Sequence, residues 1–490
     1  MTSSAQHDTS RFALVRRTST LQSLKYALTG QEPVMKLNYD VLERVMHFMG
    51  PWDILQMMQT SRTLRRLGIP VLVRYVYIVG PAYSDHLTMC FDLYRAHLFR
   101  DLGRLSWITH LIVPFTMVDD RPEVNIYRYP WRYRFTPWLQ QIINLQFLDL
   151  TMNGEELSDT LHDWILSQKH LMSLKFREIA PCPRRVYAVL ARLGPQLDVL
   201  HLDQPHMYQS EVIDPLPLLQ AAPYVGSLTG LLVEAHGLHA GPTVPHSGAP
   251  FAKVETLIWT STAPVETAAL ARAFPALKRL SLEIPSLKWT SETLDADRPP
   301  ANVLDARIAN ARSPYMWPAL EKLTGDLLSL WVLALRCPVA AIDTEINGDR
   351  AARVGVKMGH VVALLNDTAA PRLALVVRHA HVMQFGALFA FPTLRHLDVK
   401  VGVYVRADFI DLLEKAVNEL VISNLLTLSI GVKPMRTFYP RILYPFPGRG
   451  HRLAARLLAK MPDVEELTIN LWPKFKEYKW KRPEPKPKTK

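Results

Sequence analysis

The chain has 490 residues, of which 48% are hydrophobic and 21% are charged, and its formal net charge is +12. This hydrophobic content suffices for a large buried core and excludes a chain that is disordered over most of its length. The positive net charge favours acidic partners, but spread over 490 residues it is too small to identify one.

The sequence has no run of 18 consecutive apolar residues and no apolar segment close to its N-terminus. We therefore expect neither a membrane span nor a secretory signal, and we expect a protein of the cytoplasm, the nucleus or both. Cys90, Cys182 and Cys337 are too far apart in sequence for a disulfide framework or a zinc site. Buried thiols in a reducing compartment are the expected state of these cysteines.

Both ends of the chain have compositions typical of disorder. Residues 1–33 are polar, rich in Ser and Thr, and basic, so we expect a disordered arm there. Residues 473–490 are rich in Lys and Pro and are expected to form a solvated, disordered tail.

Three short helices are predicted over Leu37–Leu67. Asn38 has a side-chain oxygen that can cap the first helix. Gly50-Pro51 ends that helix, and Asp53 begins the second one as the first residue of a capping box. Apolar residues follow the first helix at helical spacing, namely Val41, Leu42, Val45, Met46 and Met49.

The third helix has its own start and stop signals. Thr60 or Ser61 is expected to cap it, and Gly68 and Pro70 are expected to close it. A short helix after Pro70 then leads into a strand over Tyr75–Val79. Helices this short are not stable alone, so they must pack on one another, and we expect some apolar surface to remain for a partner.

The segment Leu37–Leu67 resembles an F-box without a gap. The matching residues are Leu37, Asp40, Val41, Leu42, Val45 and Met49, then Gly50-Pro51 for the family's Asp-Pro, Asp53-Ile54-Leu55 for Asp-Leu-Leu, Thr60-Ser61-Arg62 for small-Ser-Arg, and Leu64 for the aromatic position. Asn38 stands where the family has a Pro that belongs to the adaptor contact. The run that follows, LRRLGIPVLVRYVYIVG, resembles the continuation found in many fungal F-box proteins. The alternative is a helical cap that seals one end of a repeat array.

The resemblance implies a substrate receptor of a Skp–cullin–F-box ubiquitin ligase. In such a ligase the F-box binds the Skp adaptor, the adaptor links it to a cullin scaffold, and a C-terminal domain binds the protein substrate. A recruited conjugating enzyme transfers the ubiquitin, so no catalytic residue, cofactor or metal is expected in this chain. The adaptor contacts that the resemblance implies are Leu37, Asn38, Val41, Leu42, Val45, Pro51, Ile54, Leu55, Ser61 and Leu64.

A recurring Leu-x-x-Leu-x-Leu pattern occupies most of the remaining chain. Its clearest copies are Leu145-Leu148-Leu150, Leu171-Leu174-Phe176, Leu197-Leu200-Leu202, Leu228-Leu231-Val233, Val254-Leu257-Trp259, Leu277-Leu280-Leu282, Leu394-Leu397-Val399, Leu425-Leu428-Ile430 and Val464-Leu467-Ile469. Helical segments lie between the copies, so we expect an α/β fold over 71–472, an irregular leucine-rich-repeat solenoid that follows the three-helix F-box at 34–70. An ordinary α/β domain with leucine-rich parallel strands is the alternative. Inserted loops are expected at 235–250, 286–318 and 433–450.

Residues that alternate with the leucines should point away from the core. Solenoids often bind partners on that face, so these polar positions are candidates for contact with a protein substrate. The candidates are Asp149, Lys175, Arg177, His201, Asp203, Glu234, Asp398 and Lys400.

The segment Tyr127–Phe135 alternates arginines with aromatic residues, a pattern also seen in proteins that bind single-stranded nucleic acid. Aromatic packing on the repeats, or contact with a protein ligand, is the favoured interpretation, and a nucleic-acid partner is not expected. No hydrolase, metalloprotease or nucleotide-binding motif is present in the sequence. A repeat scaffold without a ligase role remains the second hypothesis, and a nucleic-acid binder the third.

Overall fold

The computed structural model describes residues 39–77, 102–114, 136–152, 154, 156–179, 184–204, 219–235, 249–261, 264–284, 301–346, 358–378, 388, 391–403, 415, 424–434, 449–470 and 478–482. The chain divides into two compact units. The first comprises Met1–Val113 and Pro137–Gln146, and the second comprises Pro114–Thr136 and Phe147–Lys490.

Helices dominate the described part of the first unit. Its elements are α1 (Tyr39–His47), α2 (Pro51–Thr60), α3 (Arg62–Arg74), β1 (Tyr75–Tyr77), a 3-10 helix at Leu102–Trp107, β2 (His110–Pro114) and a 3-10 helix at Thr136–Gln141. Strands β1 and β2 are parallel, with Tyr75 opposite His110. The core of the three helices consists of Met46, Ile54, Met58, Leu64 and Val71.

Helix α2 begins at Pro51, so the prediction that Asp53 begins it is wrong. Gly50 is the N-cap residue and has extended backbone, and Pro51 takes the first helical position. Proline fits there because the first turn of a helix needs no N–H donor from it. Asp53 instead lies within the first turn, where a negative charge interacts favourably with the helix dipole.

Helix α3 continues through Gly68 and Pro70 to Arg74, so the predicted break at these two residues is wrong. A Cβ on Gly68 would lie 2.5 Å from Cγ of Met58, which shows that the glycine permits the close approach of α2 and α3. Pro70 costs the helix one backbone hydrogen bond. The buried side chains that follow it, Val71 among them, hold the helix together by packing. At the other end, the predicted cap at Ser61 is confirmed, because its Oγ accepts a hydrogen bond from a backbone N–H at 3.1 Å.

The second unit contains a long series of strands with helices between them. Its described strands are β3 (Phe147–Thr151), β4 (Ser173–Arg177), β5 (Val199–Gln204), β6 (Gly230–Ala235), β7 (Thr256–Thr260), β8 (Arg279–Glu283), β9 (Lys322–Asp326), β10 (Ile342–Glu345), β11 (Arg372–Arg378), β12 (His396–Val403), β13 (Thr427–Pro434), β14 (Glu466–Asn470) and β15 (Tyr478–Lys481). Its described helices are α4 (Asp159–Ser167), α5 (Arg184–Arg192), α6 (Thr267–Ala273), α7 (Ala301–Arg312), α8 (Leu327–Val332), α9 (Met358–Thr368) and α10 (Arg449–Lys460).

The strands of this unit pair in sequence order. Each strand from β3 to β13 pairs in parallel with the next one, and β15 closes the series antiparallel to β14. The middle leucines of successive sequence copies lie opposite one another, as in Leu148, Leu174 and Leu200. All three are fully buried. The result is a mixed α/β fold with a long, mainly parallel sheet that does not close on itself.

Strands β10 and β11 have no complete copy of the leucine pattern in the sequence. Thr344 takes the last leucine position in β10, and Ala370 takes the first one at β11. Both residues are nonetheless buried, as the leucines are elsewhere. The strand register and the burial of these positions therefore continue through β10 and β11, although the residues there are not all leucines.

The segment 286–318, predicted as an inserted loop, contains helix α7, so this prediction is wrong for residues 301–312. Asn310 anchors the helix because its buried amide donates to the carbonyls of Val265 (3.0 Å) and Val332 (2.9 Å) and accepts from the N–H of Thr267 (2.9 Å). Buried polar groups require such partners, and these fix the helix against its neighbours.

The tail 473–490, predicted to be disordered, forms strand β15 over residues 478–481. This strand pairs with β14, and Lys481 lies 3.3 Å from Glu466. The backbone groups of β14 that face β15 are hydrogen-bonded as a consequence, and the short strand β15 becomes the edge of the sheet. Of the predicted loop 235–250, residue 235 ends β6, and residues 236–248 lie outside the described residues. Of the predicted loop 433–450, residues 433–434 end β13 and residues 449–450 begin α10, while residues 435–448 lie outside the described residues. The arm 1–33 also lies outside them.

None of the described helices has both the length and the apolar character that crossing a bilayer requires.

Gly325 in β9 should be indispensable to the sheet. Its φ is +148°, and a Cβ there would lie 2.0 Å from the carbonyl oxygen of Leu282. We expect Gly325→Ala to lower the free energy of unfolding by at least about 2 kcal/mol, through backbone strain and loss of the close strand contact. Chemical denaturation measures this, and Gly359→Ala is the matched control because a Cβ at Gly359 meets nothing within 4 Å. A Gly325→Ala chain as stable as the control would contradict this account of β9.

Candidate functional site

Helix α1 carries a stripe of exposed apolar side chains. Val41 is 44% exposed, Val45 is 46% exposed, and Phe48, just beyond the helix, is 91% exposed. Residues four and seven positions apart lie on one side of a helix, and the N–H of Phe48 extends the helical bonding by donating to the carbonyl of Val45 at 3.0 Å. We call Val41, Val45 and Phe48 the α1 stripe. Adjacent exposed apolar side chains of this size mark interaction sites.

The α1 stripe contains two of the ten predicted adaptor contacts, Val41 and Val45. Leu42 and Leu55 are partly buried and pack against the three-helix core. Neither is part of the exposed stripe.

Ile54 and Leu64, two further predicted adaptor contacts, are buried in the three-helix core, with 4% and 5% exposure. Ser61 is exposed, and its hydroxyl is engaged in the cap of α3. Pro51 begins α2. Leu37 and Asn38, the remaining predicted contacts, lie outside the described residues.

Phe48 was missed at the level of the sequence. The predicted stripe on the first helix was completed with Met46 and Met49, but Met46 is fully buried and Met49 packs on the core. The spacing from Val41 and Val45 was the available signal, because positions 41, 45 and 48 follow one another at helical intervals.

The structure brings six of the eight predicted substrate contacts together on β3–β6. Their register places Asp149 opposite Lys175, Lys175 opposite His201, and Asp203 opposite Glu234. We call the set the strand-face cluster, and its members are Asp149, Lys175, Arg177, His201, Asp203 and Glu234. The alternation of polar residues with leucines is the sequence signal that led to it.

Two members of the strand-face cluster are buried, although a solvated position was expected. Asp149 is 2% exposed and His201 is 8% exposed. The guanidinium of Arg177 covers Asp149, with Nε 2.9 Å from Oδ1 and Nη2 2.5 Å from Oδ2. Nε2 of His201 lies 3.2 Å from a carboxylate oxygen of Glu234. Long side chains on neighbouring strands shield the shorter ones beneath, which alternation alone does not reveal.

Lys175 lies at the centre of these charges. Burial lowers the pKa of its ammonium group, and the nearby Arg177 lowers it further, while Asp149, Glu234 and Asp203 raise it. Apart from His201, the cluster has two cationic side chains, Lys175 and Arg177, and three anionic ones. A surface with charges of both signs can contact a polar partner.

Asp398 and Lys400 are not part of the strand-face cluster. Both are on β12, where Nζ of Lys400 lies 3.7 Å from Oδ2 of Asp398. The eight predicted substrate contacts therefore occupy two separate regions of the strand series.

The described residues give no basis for assigning catalytic or metal chemistry. In this part of the chain no group of three or more His, Cys, Asp or Glu residues could hold a metal ion. Cys337 is buried, and burial raises the pKa of its thiol to about 11, so the thiol is protonated at neutral pH. The aromatic and basic segment Tyr127–Phe135 lies outside the described residues, as do Cys90 and Cys182.

Comparison with known protein families gives a match on the unit that bears the α1 stripe. Residues 35–68 match the family model of the F-box domain. The chain carries an F-box domain. The resemblance found in the sequence is thereby confirmed for these residues, while a search of curated proteins finds no match to the chain. Within the F-box, Ile54, Met58 and Leu64 form the core, and Val41 and Val45 face outward.

The ion pair between Asp149 and Arg177 should contribute to the stability of β3 and β4. Arg177→Ala would leave the buried carboxylate without its bidentate partner. We expect a loss of about 1–3 kcal/mol in the free energy of unfolding, below the cost for a fully buried pair because Arg177 is 42% exposed. The measurement is chemical denaturation, with Arg192→Ala on the exposed end of α5 as the control. Equal stability of the two variants would show that the pair adds nothing.

Proposed function

We propose that this chain is the substrate-recognition subunit of a Skp–cullin–F-box ubiquitin ligase. The observation that carries the proposal is the F-box match at residues 35–68, in a segment that also presents the exposed apolar α1 stripe. In this role the F-box docks the Skp adaptor, and through it the cullin scaffold, while the second unit binds a protein substrate. The contribution to the rate is proximity, so the chain needs no catalytic residue of its own.

The α1 stripe is the proposed centre of the adaptor contact. Phe48 is 91% exposed, and burying a Phe side chain in an interface stabilises a complex by roughly 1.5–3 kcal/mol. Val41 and Val45 extend the same apolar surface over two turns of α1. Leu37, Asn38 and Pro51 are proposed as further contacts on the basis of the family resemblance alone, with Asn38 in the place of the family's Pro.

We infer that the second unit is an irregular leucine-rich-repeat solenoid, and that the protein is of the type found in fungi. Sequential parallel pairing and the stacked leucines support the first inference, since each repeat then contacts only its neighbours. The run from Leu64 to Gly80 supports the second by its resemblance to the fungal continuation.

The proposed substrate contacts lie on the strand face. Solenoids use such faces to bind partners, and the strand-face cluster supplies charges of both signs within four neighbouring strands. Asp398 and Lys400 extend the proposal to β12. We place the protein in the cytoplasm, the nucleus or both, where Skp–cullin–F-box ligases act.

Loss of the α1 stripe should abolish adaptor docking. We expect the double variant Val45→Asp, Phe48→Ala to bind purified Skp adaptor at least about 30-fold more weakly, because apolar contact area is lost and a charge is placed in the interface. Isothermal titration calorimetry with the full chain gives the affinity.

The matched control is Ile308→Asp. Ile308 is also an exposed apolar residue on a helix, at 40% exposure, but it belongs to α7 of the second unit. Its variant should bind the adaptor as the parent chain does. If the parent chain itself does not bind the adaptor, the ligase role is wrong, and a scaffold without that role becomes the better interpretation.

A further inference from the structure

A groove of about 430 Å³ lies on the strand face of the second unit, across β9–β14. Its lining includes Lys322, Asp343, Arg372, Ala374, His396 and Asp398, which alternate with buried residues of the sheet core. We call it the β9–β14 groove. It lies apart from the strand-face cluster of β3–β6, and of its lining only Asp398 was among the predicted substrate contacts.

The depth of the groove comes from short side chains on its floor. Ala374 of β11 lies opposite Asp343 of β10 on one side and opposite Asp398 of β12 on the other. Ser429 and Thr468 continue the same row on β13 and β14. The side chains along this row are therefore short, and none of them fills the groove.

The length of the groove fits a segment of polypeptide better than a small molecule. Five inter-strand spacings separate β9 from β14, which at about 4.8 Å each gives about 24 Å. An extended chain covers that distance in about seven residues.

The carboxylates of the groove are each matched by a lysine. Asp343 lies 3.5 Å from Lys322, Asp398 lies 3.7 Å from Lys400, and Glu466 lies 3.3 Å from Lys481. These are exposed or half-exposed pairs, and they compensate the charge of all three acidic residues in the lining.

Arg372 carries the charge that remains. It is exposed, and no described residue forms an ion pair or a side-chain hydrogen bond with its guanidinium. It lies opposite His396 across β11 and β12. The groove therefore has one positive charge without a partner among the described residues.

His396 contributes hydrogen bonding rather than charge. Its Nδ1 lies 2.9 Å from the hydroxyl oxygen of Thr427. Burial lowers the pKa of the imidazole and the adjacent Arg372 lowers it further, against a smaller opposite effect of Glu465. The lowered pKa disfavours the charged form of the ring, and Arg372 supplies the positive charge that the lysine–carboxylate pairs do not compensate.

We propose that the β9–β14 groove binds an extended segment of the protein substrate through an Asp or Glu side chain, whose carboxylate pairs with Arg372. The planar guanidinium accepts a carboxylate in a bidentate fork. A doubly charged phosphate fits less well, since only one positive charge is uncompensated and Asp343 and Asp398 flank the floor. The inference rests on the proposed function, which it deepens by naming the chemistry of the substrate.

Random heptapeptides displayed on phage and selected on the immobilised full chain provide the probe. We expect the enriched peptides to share an Asp or Glu. Replacing that residue by its amide should weaken binding of the synthetic peptide about ten-fold, as should Arg372→Gln in the protein. Arg372→Glu should weaken binding further, and a peptide with Lys in place of the acidic residue should bind the Arg372→Glu chain better than it binds the parent chain.

Arg452→Glu is the matched control, because Arg452 is an exposed arginine on α10 outside the groove. It should change peptide affinity by less than about two-fold, and circular dichroism checks that every variant is folded. The proposal is overturned if no peptide is enriched, if enriched peptides lack acidic residues, or if both Arg372 variants bind as the parent does. It is also overturned if a peptide with phosphoserine in place of the acidic residue binds more tightly. None of these measurements uses the adaptor, so failure here is distinguishable from failure of the adaptor-binding test.

Discussion

The second unit depends on one constraint, which is that every strand must bury its leucines against those of the strands beside it. Leu174 of β4 has Leu148 on one side and Leu200 on the other, and all three are inaccessible to water. Burial of a leucine side chain is worth roughly 1.5–3 kcal/mol, which is the main term available to order each short strand. A strand of five residues could not persist alone, so the series is stable only as a whole.

The same constraint determines what is free to vary. Positions that alternate with the leucines lie on the other face of the sheet from the leucine core, so they can be polar or charged. On β3–β6 they carry charges of both signs, and Asp149 is buried beneath Arg177. In the β9–β14 groove each acidic residue of the lining has a lysine partner, and Arg372 has none among the described residues. One scaffold thus offers two polar surfaces with different charge balance.

The sequence predicted the periodic part of this structure well. Copies such as Leu197-Leu200-Leu202 became buried strand positions in register, because periodicity of apolar residues reflects burial directly. The elements that the sequence did not predict, helix α7 and strand β15, depend on contacts between residues distant in the chain. Helix α7 is secured by Asn310 through partners more than twenty residues away, and β15 is ordered by the free edge of β14. No local pattern encodes either contact.

In the F-box, too, local features were predictable from the sequence and long-range packing was not. Its helices and the Ser61 cap were predictable, since caps and apolar spacing are local features. The sequence did not predict which apolar residues face outward, because Ile54 and Val45 are both apolar. Their difference arises from the packing of α2 against α3, where Gly68 lets the backbones approach and draws Ile54 and Met58 inward. A single residue without a side chain, which local rules interpret as a helix stop, thus helps to decide which residues remain on the surface to meet a partner.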